Sequence, residues 1–332
     1  MGGQRRRIER VSGRDYTVLD TLSGKNGTRL KVGSRGQLFT LLILPDSPAT
    51  RDHIRALERL GSDNRDYPRI LDKDQRGGQI RLLMTWIDGH TLHWYLDRGR
   101  ERPREWPSLD RTVTLIKGLA HALVHAHGVN LIHTDLKPAN LVLARHKDRL
   151  VMIDFGSALT AERATLKSDG DGATPEYAAP EVWATDPNIA PDFRADIFSV
   201  SVIAFEMLTG KLPFEGLGGK IAVPEFADGE QPRPELPSRF LKHPTRLPKA
   251  ALRVLDETVT RGLALNREER FASSGEFRTA WSRVSDALRD AERPGWFSRL
   301  IGLFRRPGLF GNPRRIARSC GGVSPNLSPQ CE

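Results

Sequence analysis

Over 16–22 (YTVLDTL) and 38–44 (LFTLLIL), branched apolar residues gather in short runs bounded by glycine clusters, a pattern that predicts two β-strands. The intervening SGKNGTRLKVGSRG predicts turn, strand, turn. In 49–60 (ATRDHIRALERL), Ile54, Leu57 and Leu60 recur three apart, which predicts a helix with one apolar face. Residues 79–88 (QIRLLMTWID) return to strand character. The chain up to about residue 90 therefore predicts a small sheet with one helix.

After Gly89 the period changes. Residues 108–127 predict an amphipathic helix, with Ser108 as its N-cap and Asp110 in its first turn. Two short strands are predicted at 141–143 and 150–153. An apolar helix over 193–209 is closed by Gly210 and followed by Pro213. Residues 221–248 are Pro-rich and irregular, and 249–263 and 274–292 predict further helices. The second part is mainly helical, and no internal repeat is visible.

With 332 residues the chain has room for one large domain or two small ones. Its 38% hydrophobic and 28% charged residues exclude collagen-like and disordered classes. No apolar run approaches the ~18–20 residues of a membrane span. The start, MGGQRRRIER, is basic but lacks the apolar stretch of a secretory signal, and Arg6 stands where myristoylation requires Ser or Thr. Cys320 and Cys331 sit together near the end, so no disulfide framework can hold the fold, and a cytoplasmic location is expected.

The net charge of +10 is uneven. Residues 1–10 hold four Arg and one Glu, and residues 293–332 hold seven Arg and one Glu, which leaves the body near neutral. No specific nucleic-acid partner is expected, because its basic footprint would lie on the body.

The chemistry concentrates in 133–156, which reads His133-Thr-Asp-Leu-Lys-Pro-Ala-Asn140 and then Asp154-Phe-Gly156. Taken singly, Asp135, Asn140 and Asp154 would each read as an ordinary polar residue. Downstream come Thr174-Pro-Glu-Tyr-Ala-Ala-Pro-Glu181, Asp196-Ile-Phe-Ser and Asn266-Arg-Glu-Glu-Arg270. In this order and spacing the segments resemble a eukaryotic-like, bacterial-type Ser/Thr protein kinase domain with a divergent amino-terminal lobe.

The resemblance implies an α+β, bilobal fold: a small antiparallel β lobe with one helix (14–87) and a larger, mainly helical lobe (88–292). A basic tail would precede it at 1–13, and a basic aromatic tail would follow at 293–332. It implies that Asp135 orients the attacking hydroxyl and accepts its proton, with Lys137 beside the moving phosphoryl group. Asn140 and Asp154 would hold Mg²⁺ or Mn²⁺. Thr174 would bond to Asp135 and Lys137, while His133, Glu181, Arg270 and Asp196 would be structural supports. For ATP, Gly24 and Gly27 would form the phosphate turn. Met84 would stand at the gatekeeper position, backbone groups of the inter-lobe hinge Thr85-Trp86-Ile87 would bind adenine, and Val142 and Ile153 would be apolar walls of that pocket.

The amino-terminal lobe departs from the family pattern. Leu42 stands at the strand Lys position, and His53, with Asp52 beside it, stands at the Glu of the following helix. No Lys occurs between Lys31 and Lys73. Both members of an ion pair are missing together, which avoids a lone buried charge. Lys25, Arg29 and Lys31 on the first hairpin are the candidate replacements. Thr134 also replaces the Arg that receives a phosphate on the activation loop in many members, so phosphorylation within 157–173 should matter less.

His121 and His125 lie four apart on a predicted helix, but no third ligand is near. The tail WFSRLIGLFRR interleaves aromatic and basic residues and suits peripheral contact with an anionic membrane surface. The leading expectation is ATP- and Mg-dependent transfer to Ser/Thr of a protein substrate. One alternative is a pseudokinase scaffold. Another is a small-molecule phosphotransferase, whose resemblance would not extend to the Ala-Pro-Glu segment.

Overall fold

A computed structural model describes residues 7–22, 27–60, 65–145, 148–155, 158–160, 174–184, 189–222, 232–243 and 247–292. The chain divides into one unit over Met1–Glu292 and another over Arg293–Glu332. The second unit, and with it the expected membrane contact, lies outside the described residues.

The amino-terminal lobe is one antiparallel sheet. Its strands are β1 (Ile8–Val11), β2 (Arg14–Leu22), β3 (Thr28–Ser34), β4 (Gln37–Pro45), β5 (Ile70–Arg76) and β6 (Gln79–Thr85), in the order β1-β2-β3-β4-β6-β5. Helix α1 (Pro48–Arg59) starts at Ser47, whose hydroxyl accepts the Thr50 N–H. The expected tail over 1–13 is shorter than predicted, because Ile8–Val11 pairs with β2 as the edge strand. Strand β5 was also unpredicted. Its sequence, ILDKDQR, is polar, and most of its residues are at least partly exposed.

Both faces of this sheet are covered, which explains the unbroken apolar run of β4. Leu41 and Ile43 pack with Val11, Tyr16, Leu30, Val32 and Leu83. Leu42 and Leu44 turn the other way, toward Ile54, Ile80, Leu82 and Met84. In β3 the buried Leu30 and Val32 alternate with Arg29 and Lys31, so the two cations share the face opposite the first cluster.

The second lobe holds α2 (Leu92–Glu101), α3 (Leu109–Gly128), α4 (Phe193–Thr209), α5 (Lys249–Gly262) and α6 (Ser274–Glu292). Helix α3 is capped at Ser108 as predicted. Helix α2 was not predicted; it starts at Thr91, whose hydroxyl accepts the Trp94 N–H. Helix α4 runs through the centre and is buried from Ala195 to Thr209. It is capped by Asp192 and ends at Gly210 in the left-handed conformation (φ 74°), where glycine lacks the Cβ that would clash. Its buried Ser199, Ser201 and Thr209 hydroxyls donate to carbonyls one turn back, so no polar atom there is left unpaired.

Strands β7 (Gly89–Thr91), β9 (Leu141–Ala144) and β10 (Leu150–Met152) form a small sheet in the order β10-β9-β7. A two-stranded pair joins β8 (Leu131–Ile132) to β11 (Leu159–Thr160). Tyr67 joins the lobes. Its ring packs 5.5 Å from that of Phe155, and its hydroxyl donates to the Ala122 carbonyl.

Glu181 and Arg270 form a buried, two-pronged ion pair at 2.7 and 2.9 Å. Arg270 also donates to the Ala264, Arg194 and Leu265 carbonyls and lies over the Phe198 ring. Removing either partner leaves the other charged and buried, a loss of about 3–5 kcal/mol. Glu181→Ala and Arg270→Met should each lower unfolding free energy in urea by that amount, and the double variant should lose clearly less than their sum.

Candidate active site

A cavity of about 780 Å³ opens between the lobes, within the range of small-molecule sites. Its sheet side includes Gly27, Arg29, Thr40, Leu42, Leu44 and Met84. Its opposite side includes Asp135, Lys137, Asn140, Val142, Ile153 and Asp154.

The loop between β8 and β9 is fixed from below. The Asp196 carboxylate, fully buried near the start of α4, accepts the His133 N–H at 2.8 Å and the Thr134 N–H at 2.9 Å. His127 Nε2 lies 3.0 Å from the same carboxylate. Burial pushes the Asp196 carboxyl up. The hydrogen bond and charge of His127, with the charge and backbone N–H of His133, overcome this and hold it below the ordinary range. So anchored, Thr134 adopts a positive φ of 62°, sparsely populated for a β-branched residue.

The chain then turns back on itself. A short turn opened by Pro138 carries Asn140 over Asp135, and Asn140 Nδ2 donates to the Asp135 backbone carbonyl at 2.8 Å and to its Oδ2 at 3.3 Å. Lys137 Nζ sits 2.9 Å from Asp135 Oδ2 and donates to Thr174 Oγ1 at 2.6 Å. Thr174 in turn donates to Asp135 Oδ1 at 2.9 Å. Three side chains thus close a triangle that holds the carboxylate in one orientation.

Asp154 stands just beyond β10, also at positive φ (65°), and the Ile153 N–H donates to the Asn140 carbonyl at 2.8 Å. Its carboxylate is ion-paired with the Arg29 guanidinium. Asn140 has committed its amide nitrogen to Asp135, which leaves the amide oxygen to offer elsewhere. One amide oxygen and one carboxylate suit Mg²⁺ or Mn²⁺, which complete their shells with water and phosphate oxygens. Among the described residues no cluster of three or more His, Cys, Asp or Glu could hold a metal. The chemistry of Asn140 and Asp154 does not require one.

Met84, Ile87, Val142, Ile153 and Gly27 line the cavity, where the sequence placed them. A Cβ on Gly27 would lie 2.5 Å from the Ile43 carbonyl oxygen, so only glycine fits there. Thr85 does not line the cavity. Its N–H donates to the Arg69 carbonyl, and its hydroxyl accepts the Arg69 N–H. Gly24 lies outside the described residues, as does Lys25. His133 is a packed support, its ring 4.9 Å from Phe155. His121 and His125 are exposed neighbours on α3. The sequence did not single out Leu22, Leu57 or Pro68, which complete the cavity wall.

Residues 69–272 match the sequence model of the family described as protein kinase domain. The chain belongs to the protein kinase family. It is 33% identical over 239 residues to serine/threonine-protein kinase PknJ of Mycobacterium tuberculosis, covering 70% of this chain and 37% of that protein. Serine/threonine-protein kinase Pkn1 of Myxococcus xanthus is 30% identical over 267 residues, covering 76% of this chain and 35% of that protein. The chain thus spans about a third of the length of these curated relatives. Among solved structures, the kinase domain of Mycobacterium tuberculosis PknI superposes with a TM-score of 0.54 at 23% identity, covering 83% of this chain and 97% of that one. That likeness bears on the fold alone.

The stretch matching the protein kinase family starts after Leu42 and His53. Active kinases pair a strand lysine with a helix glutamate at those two places. Here Leu42 is an apolar part of the cavity wall, and His53 is a partly buried imidazole on α1 with its Nε2 turned away from solvent. Its Nε2 has no hydrogen-bond partner among the described residues. Burial first, then the charge of His133, push the His53 pKa down to about 4, against a smaller opposing pull from Asp154. Folding therefore favours neutral His53. The stability this contributes is present above the unfolded value near 6.5 and is lost as pH falls toward 4. Unfolding free energy of the wild type should fall between pH 7.5 and pH 5 by about 2 kcal/mol more than that of His53→Leu, read from urea melts at both pH values.

Proposed function

We propose that the chain is an ATP-dependent protein kinase acting on Ser or Thr hydroxyls. The observation that carries this reading is the Asp135–Lys137–Thr174 triangle on the cavity wall beside Asn140 and Asp154. In this reading the substrate hydroxyl attacks the γ-phosphorus of ATP. The new P–O bond forms as the bond to the β–γ bridging oxygen breaks and ADP leaves, and the hydroxyl proton passes to Asp135. Lys137 keeps a compact positive charge beside the transferred group. Asn140 and Asp154 would hold a divalent cation, which would supply charge neutralisation at the phosphates. The names of the relatives and the Lys137–Thr174 bond support Ser/Thr over Tyr as acceptor.

A second reading, a nucleotide-binding pseudokinase that regulates a partner, is favoured by Leu42 and His53. Transfer from labelled ATP with Mg²⁺ or Mn²⁺ to itself or a generic protein acceptor separates the two. Under the kinase reading the wild type transfers label to Ser or Thr, and Asp135→Asn and Asp154→Ala lose at least a hundredfold in rate. Thermal stabilisation by nucleotide with no transfer by any form would instead establish the regulator.

Thr134, buried against Asp196, leaves no guanidinium at its position to receive a phosphate from the following loop. Dephosphorylated protein and protein phosphorylated at Thr160, Thr165 or Ser168 should therefore differ in rate by less than about threefold. A hundredfold gain on phosphorylation would contradict this.

A further inference from the structure

A kinase site must neutralise the inner phosphates of its nucleotide, and Leu42 cannot do so. The register of the sheet shows what stands in its place. Arg29 on β3 is the direct cross-strand partner of Leu42 on β4, so the two side chains share one face of the sheet. That face forms one side of the cavity, and both residues line it. The Arg29 side chain is only 13% exposed, and its guanidinium reaches across the cleft to the Asp154 carboxylate. Among the described residues lining the cavity, the cations are Arg29 and Lys137. Lys137 is already engaged by Asp135 and Thr174 at the transfer end.

Lys31, two residues along the same face, is placed for something else. Its ammonium lies 4.6 Å from the centre of the Trp86 ring, at the hinge end of the cavity. Of the two cations of β3, Arg29 is therefore the one that lines the cavity, at its Asp154 end, while Lys31 rests on the Trp86 ring.

We infer that Arg29 is the phosphate-binding cation of this site and replaces the family's strand lysine from the adjacent strand. The inference rests on the kinase reading above. Neighbouring strands lie about 4.8 Å apart, so a cation moved by one strand needs a longer arm, and arginine has one. Its planar fork also matches two phosphate oxygens at once, where a lysine offers a single point. In the present state the fork neutralises Asp154. A nucleotide offers it phosphate oxygens of similar charge and spacing. The site thereby draws its cation from the first hairpin and ties it to the opposite lobe, and α1 holds no acidic partner for it at His53.

The test is the binding of adenosine, AMP and ADP with Mg²⁺, measured by calorimetry. The proteins are the full chain as wild type, Arg29→Ala, Lys31→Ala and Arg29→Ala/Leu42→Lys. Wild type should bind ADP at least tenfold more tightly than adenosine. Arg29→Ala should bring that ratio to within about twofold with adenosine affinity unchanged, and Lys31→Ala should leave the ratio intact. Arg29→Ala/Leu42→Lys should restore most of the ratio, because the new ammonium projects from the same face. A ratio that survives in Arg29→Ala overturns the inference, as does a wild type that binds adenosine and gains nothing from phosphates. If Arg29→Ala loses adenosine as well, the double variant decides. Recovery of both ligands supports the inference, and recovery of adenosine alone, or of neither, overturns it. A wild type that binds neither adenosine nor ADP removes the nucleotide reading itself, and the inference with it.

Discussion

A carboxylate with no solvent contact, Asp196 in the central helix α4, holds the catalytic loop by its backbone. Burying a charge is costly unless hydrogen bonds replace its water, and here two backbone N–H groups and His127 do so. The same bonds hold Thr134 at a positive φ and aim the next residue, Asp135, at the cleft. Asp135 then organises Lys137, Asn140 and Thr174 around itself. Each of these side chains is therefore positioned by a chain of contacts that begins in the core of the larger lobe.

The smaller lobe solves a different problem. Its sheet buries one apolar cluster on each face, and the β3 cations Arg29 and Lys31 lie on the face opposite the first cluster. Replacing the strand lysine by Leu42 and the helix acid by His53 removes an ion pair from between β4 and α1. A cation returns one strand away, on Arg29, facing an acid from the other lobe. The mechanical connection in the cleft changes with it: the pairing spans the two lobes. Tyr67, packed on Phe155 and bonded to Ala122, adds a second connection close by.

Much of this was legible in the sequence. The helices over 108–127, 193–209 and 274–292 were read from period and caps, because long amphipathic or buried helices leave strong local patterns. Strands β1 and β5 were missed because their burial is weak and their residues are largely polar. The alternation of Arg29 and Lys31 with Leu30 and Val32 was a readable sign that both cations lie opposite the core.

By itself the sequence determined the family, the candidate site residues Asp135, Lys137, Asn140 and Asp154, and the absence of the usual lysine and glutamate. These are matters of residue type and short spacing, which survive without any fold. Only the tertiary structure decided that Arg29, and not Lys31, meets Asp154. That outcome depends on strand register and on contacts between segments distant along the chain. A shift of one residue in register would reverse every face of β3, and no local pattern encodes where the opposite lobe places its carboxylate.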